Sequence, residues 1–327
     1  MSAARAVGLL CGVAADAVFE DPPRLHPVAG FGRLASAVER MLYADRRLAG
    51  LGYNVTLVGG AAMLGSVVER AGRRHSLLQI GTTALATWVV VGGASLVSEA
   101  TAMARALHRG DVDAARQRLP NLCGRDATAL DAGGLARASV ESIAENTSDA
   151  VVAPLLWGAL AGVPGLLAYR AVNTLDAMVG YRSPPYRRFG WVSARLDDLA
   201  NLLPARVAAA LTAACAPLVG GLPGGAWQAW RRDAAAHPSP NAGRIEAAFA
   251  GALGIRLGGP TAYPHGIEQR PFLGDGRTPG AEDLARAAQL SRAVGAAAAV
   301  LCAVSALGAG RRRDLSGCRS GRPAAPR

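Results

Sequence analysis

Six apolar runs punctuate the chain, at about 6–19, 55–69, 77–97, 150–170, 205–222 and 293–310, and polar stretches at 20–54, 98–149, 171–204 and 231–292 separate them. A helix that crosses a bilayer needs about 20 apolar residues in succession. LLQIGTTALATWVVVGGASLV from Leu77 meets that length, and AVGAAAAVLCAVSALGAG from Ala293 comes close. The first run is short, and Pro154 and Pro164 interrupt the fourth. A broken helix is tolerated at membrane depth only where it lines protein or an aqueous cavity. Gly and Ala fill all six runs, which suits close helix packing in lipid. The pattern predicts an all-α, polytopic integral membrane protein with broken or re-entrant helices. One membrane domain is expected over 1–310, followed by a basic, disordered cytoplasmic tail over 311–327, RRRDLSGCRSGRPAAPR. The N-terminal run reads as a retained helix, because Asp16 interrupts it and no cleavage site follows.

Composition supports the membrane reading: 51% of the residues are hydrophobic and only 18% are charged, below the roughly 25% of soluble domains. All 35 basic residues are arginine, so the net charge of +11 resides on guanidinium groups, and a P-loop lysine or Schiff-base lysine is excluded. Aromatics are 5% and the arginines alternate with apolar helices, which argues against nucleic acid as a partner. Cys11, Cys123, Cys215, Cys302 and Cys318 stand far apart and read as inert thiols.

The polar stretches carry the candidate chemistry. If residues 134–149 are helical, Glu141, Glu145 and Asp149 follow an i, i+4, i+8 rule and share one face, with Asn146 beside Asp149. Their oxygens suit a hard cation such as Mg²⁺, which keeps waters and bridges to substrate phosphates; the alternative is a solvated acidic stripe. Downstream, Asn173 and Asp176 repeat the amide-x-x-acid spacing, and Asp197, Asp198 and Asn201 form D-D-x-x-N with Arg195 two residues ahead. Glu145, Asp149, Asp197 and Asp198 are the candidate Mg²⁺ ligands. Adjacent carboxylates repel unless a cation or arginines compensate, and Arg182, Arg187, Arg188 and Arg195 are close enough in sequence to do so or to hold a phosphate. An ordinary basic loop with helix-capping acids is the other reading. Pro22, Pro23 and Pro27 fix the backbone around Asp21 and His26; a histidine before proline is more often structural than catalytic. HPSPNAGRIEAAFAGALGIRLGG from His237 offers turn amides at a helix start, an anion-binding arrangement to which Asn241, Arg244 and Glu246 would contribute.

Taken in order, DPPRLHPV, ESIAENTSDAVVAPLLWGALAGVPGLLAYRAVNTLDAMVG, RFGWVSARLDDLANLLPAR and SPNAGRIEAAFAGALGIRLGG closely resemble the CobD/CbiB family of cobalamin biosynthesis, the adenosylcobinamide-phosphate synthases. The likeness covers about 6–308. It implies a cell-membrane enzyme of the late corrinoid pathway that joins the propionate carboxylate of adenosylcobyric acid to the amine of an aminopropanol phosphate, or of a related amino-alcohol or threonine phosphate. ATP as co-substrate and Mg²⁺ would be the cofactors. The partners would be those two substrates, the lipid bilayer and neighbouring late corrinoid-pathway enzymes. Such a ligation first converts the carboxylate to an acyl phosphate, which needs Mg²⁺ and positive charge around the γ-phosphate. With no lysine, Arg170, Arg182, Arg195 and Arg244 are the candidates for that charge. Two other classes fit parts of the pattern: an intramembrane prenyltransferase holding Mg²⁺-diphosphate, whose Asp-rich motif LDDLAN imitates, and a non-enzymatic membrane transporter or sensor.

A topology follows from that implied chemistry. ATP is cytoplasmic, so one site built from the regions around Asp21, Glu145, Asp197 and Asn241 has to face the cytoplasm. This requires 150–170 to be re-entrant or a pair of half-helices and 205–222 to turn back, while 55–69 and 77–97 form a spanning hairpin with RAGRRHS on the far side.

Overall fold

In the computed structural model, which describes residues 2–20, 26–128, 130–263 and 266–319, the chain is a helical bundle carrying one β-hairpin. Helix α1 (Ser2–Phe19) leads through α2 (Pro27–Leu42) to α3 (Arg47–Gly72) and α4 (Ser76–Val90), and α5 (Gly93–His108) resumes after a break at Val91 and Gly92. Then come α6 (Val112–Arg118), α7 (Ala132–Asn146), a π-helical stretch (Thr147–Val152), α8 (Ala153–Ala161) and α9 (Val163–Val179). The rest comprises α10 (Tyr186–Phe189), α11 (Trp191–Ala200), α12 (Leu202–Cys215) with a 3₁₀ extension to Val219, α13 (Pro223–Asp233), α14 (Ala242–Leu253), the strands β1 (Leu257–Tyr263) and β2 (Gly266–Leu273), and α15 (Ala281–Arg319). Five stretches are long and apolar enough to cross a membrane: Ser2–Phe19, Arg47–Gly72, Ser76–His108, Leu202–Val219 and Ala281–Gly308. The protein is an all-α, polytopic membrane protein, as the hydrophobic pattern predicts.

Small residues let the helix backbones touch. A Cβ on Gly8 of α1 would lie 2.6 Å from Thr83 Cβ on α4, and one on Gly12 would run into Thr87 Cβ. One on Gly65 of α3 would lie 2.6 Å from Pro164 Cα of α9. With lipid as apolar as the side chains, such close van der Waals contact is what holds helices together in a bilayer.

Polar contacts mark the two ends of the bundle. At one end Arg5 donates to Glu69 at 2.7 Å and to the Ala159 carbonyl at 3.4 Å, while Glu69 also accepts from Arg73 at 2.8 Å and from the Val163 amide at 3.0 Å. Ala303 and Ala306 of α15 pack here beside Ala6. At the other end Asp16 accepts from the Ala94 amide at 3.0 Å at the start of α5, Gly92 N–H meets the Ala150 carbonyl at 3.1 Å, and Thr147 meets Ser291 of α15 at 2.7 Å.

These ends explain the fourth apolar run. Helix α8 runs towards the Arg5–Glu69 end, the chain reverses at Gly162, and α9 returns, which makes the run the re-entrant pair expected from its prolines. Pro164 sits in the first turn of α9, where a missing N–H costs nothing, while Pro154 directly follows the π-helical stretch inside a helix that runs unbroken from α7 into α8. Gly162 has φ +72°, and a Cβ there would meet Glu69 Oε2, so the reversal is built for glycine.

Helix α12 begins after Asn201 near mid-bundle, where Trp157 Nε1 donates to the Ala200 carbonyl at 3.1 Å. Its 3₁₀ extension ends at Val219, whose carbonyl accepts from Arg286 at 3.0 Å. From Arg286, α15 runs on for roughly 25 Å to Ala303 at 1.5 Å per residue. Although long enough to cross, α12 therefore lies along the upper part of α15 and points away from the Gly162 turn. Two features differ from the hydrophobic pattern. The third run, expected as one span, is interrupted at Val91–Gly92, and α15 continues through Arg319, past the expected boundary at 311. The direction of α15 also takes the chain after Gly308 to the Arg5 end, opposite Asp16 and Ser291.

Candidate functional site

An acidic centre forms where α7, the π-helical stretch, α9, α11 and α14 converge. Its first wall is built by α7. Glu141 is 2% exposed; one oxygen accepts from the Gly258 amide at 2.6 Å and the other pairs with the Arg125 guanidinium. One turn earlier Arg137 donates to the Gly258 and Pro260 carbonyls at 2.8 and 2.7 Å. Together these side chains pin β1 to α7, an approach that Gly258 and Gly259, at φ +82° and +86°, permit. The antiparallel partner β2 then carries Arg270 inward, placing Nη1 3.1 Å from His237 Nε2.

His237 lies between two donors: Arg270 at Nε2, and the Ser239 amide 3.1 Å from Nδ1, which also stands 3.4 Å from the Ser239 carbonyl. Burial and the Arg270 charge hold His237 down to about 4. Glu246 of α14, 3.7 Å from Nε2 and 3% exposed, is pushed well above the carboxylate range by burial and then by Glu141 and Glu145, against the pull of Arg270 and Arg125. Glu145 joins this group to the next: its side chain reaches solvent, yet surrounding protein, and to a lesser degree Glu141, raises its pKa while Arg270 and Arg125 oppose the rise.

The second wall is richer in acids than in compensating charge. Asp149 in the π-helical stretch is raised well above its ordinary value by burial, Asp197 and Glu145. Burial raises Asp176 to about 7, with Asp197, Asp198 and Glu145 adding to it. Asp197 rises to about 6, again through burial, although Asn201 Nδ2 and Asn173 Nδ2 donate to it at 3.0 and 3.4 Å. Tyr169 donates to Asn201 Oδ1 at 2.8 Å and lies 3.1 Å from the Asp149 carbonyl. Asn241 Nδ2 donates to the Asp198 carbonyl at 2.8 Å, and its buried Oδ1 has no hydrogen-bond partner among the described residues.

The residues singled out from sequence divide accordingly. Glu145, Asp149, Asn173, Asp176, Asp197, Asn241 and Glu246 gather at the centre, with Arg170 beside Tyr169. Glu141 holds the hairpin, and Asn146 bonds back to the Ser142 carbonyl at 2.9 Å. Asp198 pairs outward with Arg195 at 3.2 Å, and Arg182 and Arg195 are exposed. Arg244 donates to the Pro240 carbonyl at 3.1 Å. The helix-start amides offered to an anion are already taken, because Ser239 Oγ accepts from Asn241 N at 3.2 Å and Ala242 N at 3.1 Å. His26 accepts from the Val28 amide at 3.3 Å and caps α2. Asp21 lies outside the described residues. Arg125, Arg270, His237 and Tyr169 were not among the expected site residues.

Among the described residues no three His, Cys, Asp or Glu side chains are grouped to hold a metal ion by themselves, so Glu145, Asp149, Asp197 and Asp198 do not form a four-ligand cage. The donor chemistry nonetheless fits Mg²⁺, which binds through one or two carboxylates plus water and substrate phosphate. A cation there would relieve the mutual repulsion of the acids.

Fold and centre together define a multi-pass helical membrane protein with a polyacidic site walled by arginines. Residues 9–291 match the family model described as CobD/Cbib protein. The chain is 57% identical over 297 residues to a cobalamin biosynthesis protein CobD of Mycobacterium tuberculosis, covering 91% of this chain and 94% of that one. It is 43% identical over 280 residues to the protein of that name from Chromobacterium violaceum, covering 84% and 88%, and 40% identical over 274 residues to that of Rhodobacter capsulatus, covering 82% and 85%. The chain belongs to the CobD/CbiB family. No solved structure matches it.

Proposed function

We propose that this protein is a cobalamin-biosynthesis enzyme that joins the propionate carboxylate of adenosylcobyric acid to the amine of an aminopropanol phosphate or a close relative, with consumption of ATP, at the cytoplasmic side of the membrane. The observation that carries the reading is one continuous site in which carboxylates with raised pKa stand beside Arg125, Arg270 and Arg170. An amine arrives as an ammonium ion and attacks only after losing a proton. Asp176 and Asp197, at about 7 and about 6, are matched to accept it near neutral pH. The same acids attract the ammonium group beforehand, and the arginines supply planar, two-point contacts for phosphate. Asp149 and Asp197 would hold Mg²⁺, which when bound draws charge from the phosphate being transferred. Asn241, with an unsatisfied carbonyl oxygen at the centre, is a ready acceptor for a substrate N–H.

Purified protein given adenosylcobyric acid, ATP, Mg²⁺ and a set of amino-alcohol phosphates should form the amide product, read by mass spectrometry. Asp149→Ala and Asp197→Ala should each lower turnover by more than about a hundredfold, the scale of a lost general base or charge stabiliser, while the protein stays monodisperse in detergent. Near-normal turnover in both variants would remove these residues from the mechanism. Release of pyrophosphate from a prenyl donor, or corrinoid binding without ATP turnover, would overturn the ligase reading.

A further inference from the structure

We infer that the outer face around Trp191 is a binding site for an anionic phospholipid. Trp191 opens α11 at the level where α3 begins, and two guanidinium groups lie against its indole: Arg47 at 4.5 Å from the ring centroid and Arg195 at 5.9 Å. Beside them runs an apolar groove of about 290 Å³ lined by Leu48, Leu51, Val192, Leu196 and Leu199. Leu48 is 78% and Leu199 65% exposed. On α3 the groove continues into the exposed stripe of Val55, Met63 and Val67, and that helix is long and apolar enough to cross the bilayer. Leucines this exposed at the start of a membrane helix face hydrocarbon rather than water.

Charge decides which lipid. Two like charges held against one ring repel, and an anion between them offsets that cost. Arg195 has Asp198 as partner at 3.2 Å, whereas Arg47 makes no ion pair among the described residues. A phosphodiester is the anion available at this depth. Its headgroup would take both guanidiniums in two-point contacts while one acyl chain lies along Leu48, Leu51 and Leu199. Exposed Tyr43 and Tyr181 lie at the same end of the bundle, and tyrosines favour the headgroup layer. Arg195 thus serves the membrane rather than the substrate phosphate expected from its sequence context.

Native mass spectrometry of the full chain in detergent tests this with phosphatidylglycerol and phosphatidylcholine of identical chains. At about 1 kcal/mol per basic residue near an anionic headgroup, two arginines correspond to a preference of roughly tenfold or more for phosphatidylglycerol. The preference should vanish in Arg47→Ala/Arg195→Ala and survive in large part in Arg47→Lys/Arg195→Lys. Equal retention of the two lipids by the unmodified protein would overturn the proposal without recourse to any variant. Glycerol phosphate added as a soluble competitor should not displace the lipid; displacement at matched concentration would show a free-phosphate site and overturn the lipid assignment.

Discussion

Asp176 and Asp197 keep protons that ordinary carboxylates lose by pH 5, and the physical cause is first burial and then the acids crowded around them. A cation entering the centre has to displace those protons, so its affinity follows their ionisation. The sign is fixed: as pH falls through about 7 and then about 6, the acids fill with protons and Mg²⁺ binds more weakly. Calorimetry of Mg²⁺ binding should therefore show affinity rising between pH 6 and 8, with proton release that differs between buffers of low and high ionisation enthalpy, and Asp176→Asn should reduce the released proton. Affinity independent of pH across that range would refute a metal role for the pair. At this scale much of the centre was legible, because carboxylates and amides at i, i+3 and i+4 spacing announce a shared face. Asn146 shows the limit of that logic: it has the right spacing yet bonds back to Ser142. Arg125 and Arg270 were not legible, since in a chain with 35 arginines and no lysine no single arginine stands out.

The β-hairpin is the element whose placement decides the site. LGGPTAYPHGIEQRPFL interrupts an otherwise helical chain with glycines and prolines, which turn chemistry explains once the strands are seen, but a search for helix periodicity passes over it. Its position depends on Glu141 and Arg137, one helical turn apart on α7, gripping Gly258 from both sides of the peptide. Removing one partner of a buried ion pair costs about 3–5 kcal/mol. Glu141→Gln, which leaves Arg125 without its charge partner, should loosen the hairpin and let Arg270 drift from His237. Hydrogen exchange should rise across 257–273 and not across α3 or α4, and turnover should fall through the phosphate-bearing substrates. Unchanged exchange in the hairpin would return Glu141 to the reacting group in which its spacing first placed it. The prolines teach the complementary lesson. Pro154 and Pro164 mark a discontinuous segment, but only Pro164 begins a helix while Pro154 lies inside a continuous one, and the reversal itself is set by Gly162, where a Cβ would meet Glu69.

For the whole molecule, the directions of the helices settle how the spans can be counted. Helices α1 and α15 meet at the Arg5 end through Ala6, Ala303 and Ala306, while the end of α4 and the start of α15 both lie at the other. Every segment between them must then return to the side it left. The α8–α9 pair does so visibly, and α12, ending beside Arg286, does so despite a length that permits crossing. Arginines stand at both ends of the bundle, so their distribution does not orient it, and a cytoplasmic acidic side is what the proposed use of ATP requires. The acidic side carries Arg40, Arg46, Arg47, Arg187, Arg188, Arg231 and Arg232, and the opposite end carries Arg70 and Arg74 beside the Arg5 and Arg73 that Glu69 holds. Helix α15 carries the chain at 311–313 to the Arg5 end, opposite the acidic centre, so the centre and this stretch do not share a side. Ser139 and Ser193, beside the centre in sequence, are wholly buried, so exposed positions are the proper reporters. In a cysteine-free background, Ser183→Cys, Thr128→Cys and Asp275→Cys should resist an impermeant thiol reagent added to intact cells and react after lysis, while His75→Cys should react from outside. Labelling of Ser183→Cys and Asp275→Cys from outside, with His75→Cys protected, would invert the molecule and separate the acidic centre from cytoplasmic ATP.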